Sequence, residues 1–505
     1  MEELRTIEEA IRHHAQLRPT SPAIVATQSL SVSYGELFES ICTVRSDLRR
    51  AGFDRNARIV VALQNGPLAA LAVVAIACSA VAVPLDIKLA VPEVDKCLDL
   101  LRPAAVVLLG DSDSPARTIA ARQGIPVIEL AIPDRGKLGL RLVIPRVGSA
   151  ASPEEQIPDA PAFILQTSGT TGGLKLIPYS HRNMLATAGR VQGWFGLTPT
   201  DRCLSVSPIH YCHGLTVTVF APLITGGSIA FPLDPSRLDI AEWFGELRPT
   251  WYSAGPTLHR FVLDKAKPMP DVRTIHTLRF VVSGGAPLPE DVCVGLQRVL
   301  GVPVLEHYGA SEAAQISANL PPPGAAKLGT CGIPPNDTVM IVGEDGGQAA
   351  PGQKGEVWVR GPTLMSGYLD APELNRAAFV AGWFRTGDIG SLDEDGFLTV
   401  HGREKELINR GGEKIAPTEI DNALMRHPAV IEAAAYAVHH PRLGEDVAAA
   451  VVLHPGSTVT QDELREFLRT QLALFKIPRR IVFQDQLPKG PTGKVQRSKL
   501  GNSSK

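Results

Sequence analysis

The feature that most constrains the fold is an alternation of short apolar runs with helical patterns between about residues 22 and 337. Runs such as Arg58–Leu63, Ala104–Leu109 and Leu278–Val282 have the length and composition of buried strands. Strands that alternate with helical segments predict βαβ units and a mainly parallel sheet. No repeat of 20–50 residues is visible, which argues against a solenoid. We therefore predict an α/β fold whose large N-terminal part is built from βαβ-type sheets.

The pattern changes at about residue 338. Two short strand patterns, Val339–Val342 and Glu356–Arg360, are separated by a turn-rich segment, as in a small antiparallel region. We predict a β-barrel-like subdomain over about 338–402. It would complete an N-terminal domain spanning residues 1–402.

The last hundred residues have the pattern of a separate, smaller α+β unit, which we assign to 403–505. Thr418 precedes an apolar helical pattern and is expected to cap that helix. Thr460 and Glu463 have the spacing of a capping box and should open a second helix.

Composition excludes several functional classes. The 505 residues include 52 acidic and 50 basic side chains, so a whole-protein nucleic-acid binder is not expected. The seven cysteines are scattered and suit a reducing, cytoplasmic setting. The most apolar stretch, Leu68–Leu85, contains Ser79 and Pro84, so a buried helix that leads into a strand is expected rather than a membrane span. The charged N-terminus does not resemble a secretory signal.

The strongest local signal is the loop Thr167–Lys175, with the sequence TSGTTGGLK, which follows an apolar run. Its glycines let backbone N–H groups converge, its hydroxyls add donors, and its lysine adds charge, as a phosphate site requires. It is not a Walker P-loop, because Lys175 lies between Leu174 and Leu176 rather than between a glycine and a hydroxyl residue. The alternative is an ordinary polar surface loop.

Four further motifs follow the loop in the chain. They are Tyr308–Glu312 (YGASE), Gly382–Asp388 (GWFRTGD), Gly402–Glu406 with Gly411–Pro417 (GREKE and GGEKIAP), and Leu487–Lys494 (LPKGPTGK). In this order, the five motifs resemble those of the adenylate-forming superfamily, which contains acyl-CoA synthetases, adenylation domains of peptide synthetases and luciferases. The hinge and C-terminal motifs look most like the oxalate–CoA ligase branch.

The resemblance implies a set of nucleotide-site residues. ATP or AMP would be bound by Thr167, Ser168, Gly169, Thr171, Gly172, Lys175, Gly284, Gly285, Ala286, Pro287, Glu306, His307, Tyr308, Gly309, Asp388 and Arg403. Catalytic roles would fall to Thr170, Ser311, Glu312 and Lys494. Glu312 would also hold Mg²⁺, a hard cation that prefers oxygen ligands. Lys494 would stabilise charge at the reacting carboxylate and α-phosphate.

The acid substrate is expected beside the segment Pro208–Gly214, whose sequence is PIHYCHG. By resemblance, the acyl pocket would include His210, Tyr211, His307 and Ala310, and His307 is the polar residue best placed to meet a second carboxylate. The roles of His210 and His213 stay open. A zinc site is the alternative for this histidine-rich segment, although it lacks a fourth ligand nearby. Oxalate or another small diacid, an aromatic acid and a medium-chain fatty acid all remain possible substrates.

The resemblance implies an acid–thiol ligase that uses ATP, Mg²⁺ and CoA. An acyl-adenylate and pyrophosphate would form first, and the acyl group would then pass to CoA. Between the two steps the C-terminal domain would turn about Glu404 and Lys405 and bring Gly411 and Gly412 to the CoA side. One alternative is an adenylation enzyme that loads a carrier-protein phosphopantetheine, and another is a non-catalytic nucleotide-binding protein. A monomer or a homodimer is expected.

Overall fold

The computed structural model describes residues 4–110, 112–131, 138–152, 157–168, 174–234, 237–411, 413–490 and 495–500. In these residues the α-helices are α1 (Ile7–Leu17), α2 (Tyr34–Ala51), α3 (Pro67–Ala77), α4 (Val91–Leu101), α5 (Pro115–Gln123), α6 (His181–Phe195), α7 (Ala221–Ile224), α8 (Ile240–Gly245), α9 (Pro256–Ala266), α10 (Val272–Ile275), α11 (Glu290–Leu300), α12 (Pro372–Ala378), α13 (Pro417–Met425), α14 (Gln461–Arg469) and α15 (Arg497–Leu500). A π-helix (His213–Phe220) precedes α7.

An eight-stranded sheet carries much of the candidate site. Its strands lie in the order β15 (Ala314–Ala318), β14 (Val304–Ala310), β13 (Phe280–Ser283), β12 (Trp251–Ala254), β10 (Arg202–Leu204), β11 (Ser228–Phe231), β1 (Pro22–Ala26) and β2 (Leu30–Ser33). The strands from β14 to β1 are parallel, and the two edge strands are antiparallel. Ligands of such sheets bind beyond the carboxyl ends of the strands, which is where the motif residues after β13 and along the end of β14 lie.

A second, seven-stranded sheet repeats this plan. Its order is β7 (Arg141–Val143), β6 (Val127–Ala131), β5 (Ala105–Leu109), β3 (Arg58–Val61), β4 (Val81–Pro84), β8 (Pro161–Ser168) and β9 (Leu174–Ser180), again parallel except at both edges. Helix α3 contacts β1 of the first sheet and both β3 and β4 of the second. It is buried from Ala69 to Ala77, because a helix that is apolar on all sides must lie in the interior. The predicted buried helix followed by a strand is confirmed.

The predicted small antiparallel region is confirmed as a five-stranded sheet. Its strands are β16 (Val339–Val342), β17 (Gly355–Val359), β18 (Phe379–Val380), β19 (Trp383–Leu392) and β20 (Leu398–Arg403). The long strand β19 pairs with β17, β18 and β20. Strand β20 ends at Arg403, one residue beyond the proposed domain boundary, and the division at 402 stays a prediction.

The C-terminal unit has its own sheet and its own core. The sheet contains β21 (Ile408–Arg410), β22 (Glu413–Ile415), β23 (Val430–His440), β24 (Gly444–Leu453) and β25 (Arg480–Phe483). Strands β23 and β24 pair along almost their whole length, and α13 and α14 supply buried leucines and Ile420 to the core beside them. The predicted α+β character of this unit is confirmed.

The two predicted helix caps in this unit have different outcomes. Thr460 caps α14 as predicted, since its hydroxyl accepts a hydrogen bond from the N–H of Glu463 and the Glu463 carboxylate accepts one from the N–H of Thr460. The prediction for Thr418 is wrong: α13 begins at Pro417 after the N-cap residue Ala416. The Thr418 hydroxyl instead donates to the carbonyl of His401, 2.5 Å away on β20. The Thr418 hydroxyl therefore bonds to a residue on another element instead of capping its own helix.

The α/β fold class predicted from the alternating pattern is confirmed. In the described part of the chain, no helix has both the length and the apolar character needed to cross a membrane.

Candidate active site

Tyr308, Asp388 and Arg403 meet where the eight-stranded sheet faces the five-stranded sheet. The Tyr308 hydroxyl donates to Oδ2 of Asp388, and the Arg403 Nε lies 2.9 Å from Oδ1 of the same carboxylate. Asp388 and Arg403 are cross-strand partners on β19 and β20. Burial raises the pKa of Tyr308, and the Asp388 carboxylate raises it further, so the phenol stays protonated. Three residues from three separate motifs are thus brought into one polar group.

The predicted phosphate loop connects two antiparallel strands. Register pairing of β8 with β9 ends with Thr167 opposite Lys175 and Ser168 opposite Leu174. The loop therefore closes a hairpin, whereas a Walker loop leads into a helix. Gly169, Thr170, Thr171 and Gly172 lie outside the described residues, as does the side chain of Ser168, so their predicted roles stay predictions.

Lys175 and Glu312 are linked by a tyrosine that the motifs do not contain. The Tyr368 hydroxyl donates to Oε1 of Glu312 at 2.8 Å, and the Lys175 ammonium lies 3.4 Å from the same hydroxyl. The ammonium also lies 4.6 Å from the centroid of the Tyr368 ring, within cation–π distance. We call Lys175, Glu312 and Tyr368 the phosphate-side cluster.

The phosphate-side cluster fits a metal–phosphate ligand. A carboxylate has about four acceptor positions, so one hydrogen bond to Glu312 leaves room for a hard cation such as Mg²⁺. Burial raises the pKa of Tyr368 above its ordinary range and Glu312 raises it further, which keeps the phenol a hydrogen-bond donor. Ser311, next to Glu312, has its carbonyl fixed by the Tyr179 hydroxyl at 2.8 Å.

The loop Gly284–Pro287 closes against Glu306. The N–H after this loop, that of Leu288, donates to Oε2 of Glu306 at 3.2 Å. Burial raises the pKa of Glu306 to about 7, against the backbone N–H groups of Leu288 and Gly329, which lower it. Gly285 has φ +85°, a conformation that favours glycine. The predicted adenine-side residues Gly284, Gly285, Ala286, Pro287 and Glu306 therefore form one local structure.

Two histidines and a serine form what we call the acid-pocket cluster: His213, His307 and Ser253. The imidazoles of His213 and His307 stack with their centroids 4.9 Å apart, and His307 Nε2 lies 3.1 Å from His213 Nδ1. His213 Nε2 lies 2.9 Å from the Ser253 hydroxyl, which donates to the carbonyl of Val282 at 3.2 Å.

One assignment of the protons satisfies this chain of contacts. Because the Ser253 hydrogen is used on Val282, the serine oxygen accepts from His213 Nε2–H. His213 Nδ1 then accepts from His307 Nε2–H. Burial lowers the pKa of His213 to about 4, and burial together with the His213 ring lowers the pKa of His307 well below its usual value. Both imidazoles are thus neutral at neutral pH.

The acid-pocket cluster exists only because residue 284 is glycine. A Cβ atom on Gly284 would lie 2.0 Å from Nε2 of His307, which is shorter than any real contact. The imidazole therefore occupies the space that a side chain at 284 would fill. Glycine at 284 thus makes room for the imidazole of His307, and its predicted place near the nucleotide stays a prediction.

The other predicted acid-side residues lie next to the acid-pocket cluster in the chain. The His210 and Tyr211 rings are 4.1 Å apart, and His210 Nε2 is 3.5 Å from Oδ2 of Asp86. The Ala310 carbonyl, at the end of β14, is 3.9 Å from the thiol of Cys212. Among the described residues, no group of histidine, cysteine, aspartate and glutamate side chains is arranged to hold a metal, so the zinc alternative gains no support.

The predicted hinge residues, Glu404 and Lys405, lie in an exposed 3₁₀ turn over Glu404–Glu406 directly after β20. Glu406 of this turn lies 3.4 Å from the guanidinium of Arg497. Arg497 also pairs with the buried Asp421 and donates to the carbonyl of Ala435 at 2.7 Å. The turn is thus attached to the C-terminal core on one side.

The CoA-side residues are described only in part. Gly411 has φ +62° and donates its N–H to the carbonyl of Leu443 at 2.9 Å. Gly412 and Lys494 lie outside the described residues, and their roles stay predictions.

The glycine in the YGASE motif has a steric reason: a Cβ atom on Gly309 would lie 2.2 Å from the carbonyl of Ala314.

Motif reasoning missed Tyr368 and Ser253 and left the role of His213 open. Tyr368 follows a glycine in an otherwise irregular segment, and Ser253 is one of several small residues in a buried strand. Neither has a neighbouring pattern that predicts chemistry. His213 carried a signal, since it stands in a histidine-rich segment, but only the tertiary contact with His307 gives it a partner.

Comparison with known proteins gives matches along most of the chain. The AMP-binding enzyme family matches residues 11–369, and the AMP-binding enzyme C-terminal domain matches residues 419–494. An oxalate–CoA ligase of Arabidopsis thaliana is 36% identical over 394 residues, which cover 77% of this chain and 76% of that protein. A sulfoacetate–CoA ligase of Cupriavidus necator is 35% identical over 492 residues, which cover 96% of this chain and 95% of that protein.

Solved structures give the same result for the fold. The ATP-bound MatB from Rhodopseudomonas palustris has a TM-score of 0.84 at 28% identity and covers 98% of each chain. The o-succinylbenzoate coenzyme A synthetase (MenE) from Bacillus subtilis, in complex with ATP and magnesium ion, has a TM-score of 0.82 at 27% identity. That alignment covers 97% of this chain and 98% of the MenE chain.

Proposed function

Since the chain belongs to the AMP-binding enzyme family, we propose that it activates a small carboxylic acid bearing a second anionic group and transfers the acyl group to CoA. The family, the enzyme class of ATP-dependent acyl-CoA synthetase and the use of ATP, Mg²⁺ and CoA were predicted from the motifs and are confirmed. The acid and the roles of single residues are the content of the proposal.

The observation that carries the proposal is the acid-pocket cluster. His213 and His307 are neutral in the free chain because burial disfavours their charged forms. An anionic group that enters beside them favours protonation, since an opposite charge within about 4–6 Å raises the pKa of an imidazole. A protonated imidazole has donors at both nitrogens and forms a charge-assisted hydrogen bond with the anion. An aliphatic chain gains neither interaction.

The relatives agree with this substrate class in part. Oxalate and sulfoacetate, which give two relatives their names, each combine a carboxylate with a second anionic group. Other relatives are named for feruloyl and indoleacetate, which are aromatic acids. The family alone therefore leaves the acid open, and the buried histidine pair is what favours a small dianion.

The remaining site residues have separate roles in the first half-reaction, the formation of the acyl-adenylate. Asp388, held by Tyr308 and Arg403, offers a fixed carboxylate to the ribose hydroxyls of the nucleotide. Lys175 and Glu312 lie on the phosphate side, where Mg²⁺ would neutralise charge on the phosphates. Lys494 would supply positive charge at the reacting carboxylate and α-phosphate.

A panel of acids tests the substrate proposal. Pyrophosphate release should be highest with two- or three-carbon acids that carry a second carboxylate or a sulfonate. It should be weaker with acetate, benzoate and octanoate. A preference for an aromatic or medium-chain acid would contradict the role given to the histidine pair while leaving the enzyme class intact.

Lys494→Ala tests the assignment of the two half-reactions. Adenylate formation should fall by about 10²–10³-fold, because a preorganised charge at the reacting centre is removed. Transfer from a supplied acyl-adenylate to CoA should be spared. Equal loss in both half-reactions would contradict the assignment.

Comparing CoA with a carrier-protein phosphopantetheine as acceptor tests the alternative thiol.

We also propose that the protein works in the cytoplasm as a monomer or homodimer. All seven cysteines are free thiols, which suits a reducing compartment. Sedimentation of the purified chain, with and without ATP, measures the oligomeric state. Localisation of a tagged chain in cells tests the compartment.

A further inference from the structure

Tyr368 lies between two charged residues that would otherwise attract each other. Its hydroxyl donates to Oε1 of Glu312 at 2.8 Å and is 3.4 Å from the ammonium of Lys175. The same lysine lies over the face of the Tyr368 ring. An ammonium and a carboxylate that contact the same hydroxyl attract each other when partly shielded from water. The phenol lies between the ammonium of Lys175 and the carboxylate of Glu312 and contacts both.

The backbone around Tyr368 is tied to both residues that it separates. The N–H of Met365 donates to the carbonyl of Glu312 at 2.8 Å, and the N–H of Leu369 donates to the carbonyl of Leu176 at 3.0 Å. Leu176 is the next residue after Lys175. The segment from Met365 to Leu369 thus joins β9, which follows the predicted phosphate loop, to Glu312 of the YGASE motif.

An asparagine fixes the tyrosine itself. The N–H of Tyr368 donates to Oδ1 of Asn375 at 2.7 Å, and Nδ2 of Asn375 donates to the carbonyl of Tyr368 at 2.9 Å. Only 6% of Tyr368 is exposed. This pair of hydrogen bonds holds the backbone of Tyr368, and burial limits the movement of its ring.

We propose that Tyr368 is a positioning residue that keeps Glu312 and Lys175 apart and ready for the metal and the phosphates. The proposal rests on the proposed function, in which these two residues meet Mg²⁺ and ATP. With the hydroxyl present, the carboxylate keeps its remaining acceptor positions for the cation, and the ammonium keeps its donors for phosphate. Without the hydroxyl, Lys175 would neutralise Glu312 and compete with Mg²⁺.

Tyr368→Phe removes the hydroxyl and keeps the ring. The Mg²⁺ concentration for half-maximal ATP–pyrophosphate exchange should rise about tenfold, the effect of losing one hydrogen bond to a charged group. The dissociation constant of Mn²⁺ in the presence of a non-hydrolysable ATP analogue, measured by electron paramagnetic resonance, should rise by a similar factor. Transfer from a supplied acyl-adenylate to CoA should keep its rate.

Tyr34→Phe is the matched control. Tyr34 is fully buried, and its hydroxyl donates to the carbonyls of Leu223 at 2.9 Å and Gly227 at 2.7 Å, away from the motifs. It should leave the Mg²⁺ requirement unchanged. Asn375→Ala, which keeps the phenol but releases its backbone, should raise the Mg²⁺ requirement by about two- to threefold, the low end of the value of one hydrogen bond.

The decisive test repeats the Tyr368→Phe change in a protein that also carries Lys175→Met. If the hydroxyl acts by keeping the lysine away from Glu312, Tyr368→Phe should weaken Mn²⁺ binding much less in the Lys175→Met protein than in the natural one. An equal weakening in both backgrounds would overturn the proposal, and so would unchanged Mn²⁺ binding in the natural background. A wild-type chain that binds Mn²⁺ and nucleotide but activates no acid would refute the proposed function alone.

Discussion

In the proposed function, the phosphate-side cluster and the acid-pocket cluster bind anionic ligands by opposite means. The first holds permanent charges, on Lys175 and Glu312, and separates them with a tyrosine hydroxyl. The second holds two imidazoles that burial keeps neutral, linked through a serine to the carbonyl of Val282. Nucleotide phosphates are always charged, so a fixed arrangement of charges suits them. An acid of variable charge is better bound by neutral imidazoles that become protonated when an anionic acid binds.

Glu312→Gln should give the largest effect, because it removes the permanent charge while nearly keeping the shape. Adenylate formation should fall by about 10²–10³-fold, as when a group that stabilises transition-state charge is lost. ATP–pyrophosphate exchange with saturating acid measures this. Glu373→Gln, at an exposed glutamate paired with Arg376, is the control and should have no effect. A loss of under threefold for Glu312→Gln would contradict the comparison.

Gly284→Ala should affect the acid-pocket cluster more than the predicted adenine-side residues beside it. The new Cβ would lie 2.0 Å from His307 Nε2, so the imidazole must turn away and leave His213. We expect the KM for the acid to rise about a hundredfold, the upper range for the loss of a hydrogen bond to a charged group, with a small change in the KM for ATP. Gly285→Ala is the matched control, since its Cβ meets no atom within 4 Å and only its φ of +85° is strained. A similar rise in both KM values would contradict the separation of the two clusters.

Lowering the pH from 8 to 6 should strengthen binding of a dianionic acid by about tenfold. The pKa of His213 is about 4 in the free chain, and the anion raises it on binding, so one proton is taken up. Affinity that depends on proton uptake increases as the pH falls through the raised pKa and levels off near the free pKa of about 4. Acetate should show a much smaller dependence. His213→Gln should remove the difference between the two acids, and a difference that survives this change would falsify the coupling.

Ser253→Ala should give the smallest effect. It removes the hydroxyl that accepts from His213 Nε2 but leaves the contact between His213 and His307. We expect a two- to fivefold rise in the KM for the acid, within the ordinary value of one hydrogen bond, and no change in the Mg²⁺ requirement. Steady-state kinetics with acid and Mg²⁺ varied separately measure both. A changed Mg²⁺ requirement would mean that the two clusters are coupled.

Residues that act through their own neighbours in the chain were predicted well. The capping box of Thr460 and Glu463 needs only four consecutive residues, and it forms as expected. The apolar character of α3 is a property of its own sequence, so its burial also followed. The motifs around Lys175, Tyr308, Asp388 and Arg403 predicted the family because each carries its chemistry in a short, ordered pattern.

Residues whose role depends on a distant partner were missed or misassigned. Thr418 has a local pattern for capping, but the His401 carbonyl takes its hydroxyl. Tyr368 lies 56 residues from Glu312 and 193 from Lys175 in the chain, and no local pattern relates the three. His213 and His307 are 94 residues apart, so their stacking is decided by the way β14 passes the start of the π-helix.

The sequence by itself determined the α/β fold class and the family. Those features depend on hydrophobic periodicity and on short motifs, both of which are local. The tertiary structure decided which side chains touch: it placed Tyr368 between Lys175 and Glu312, and it fitted His307 into the space above Gly284. Hydrogen bonds and burial act over a few ångströms in space, and only the packed chain brings residues from separate motifs within that distance.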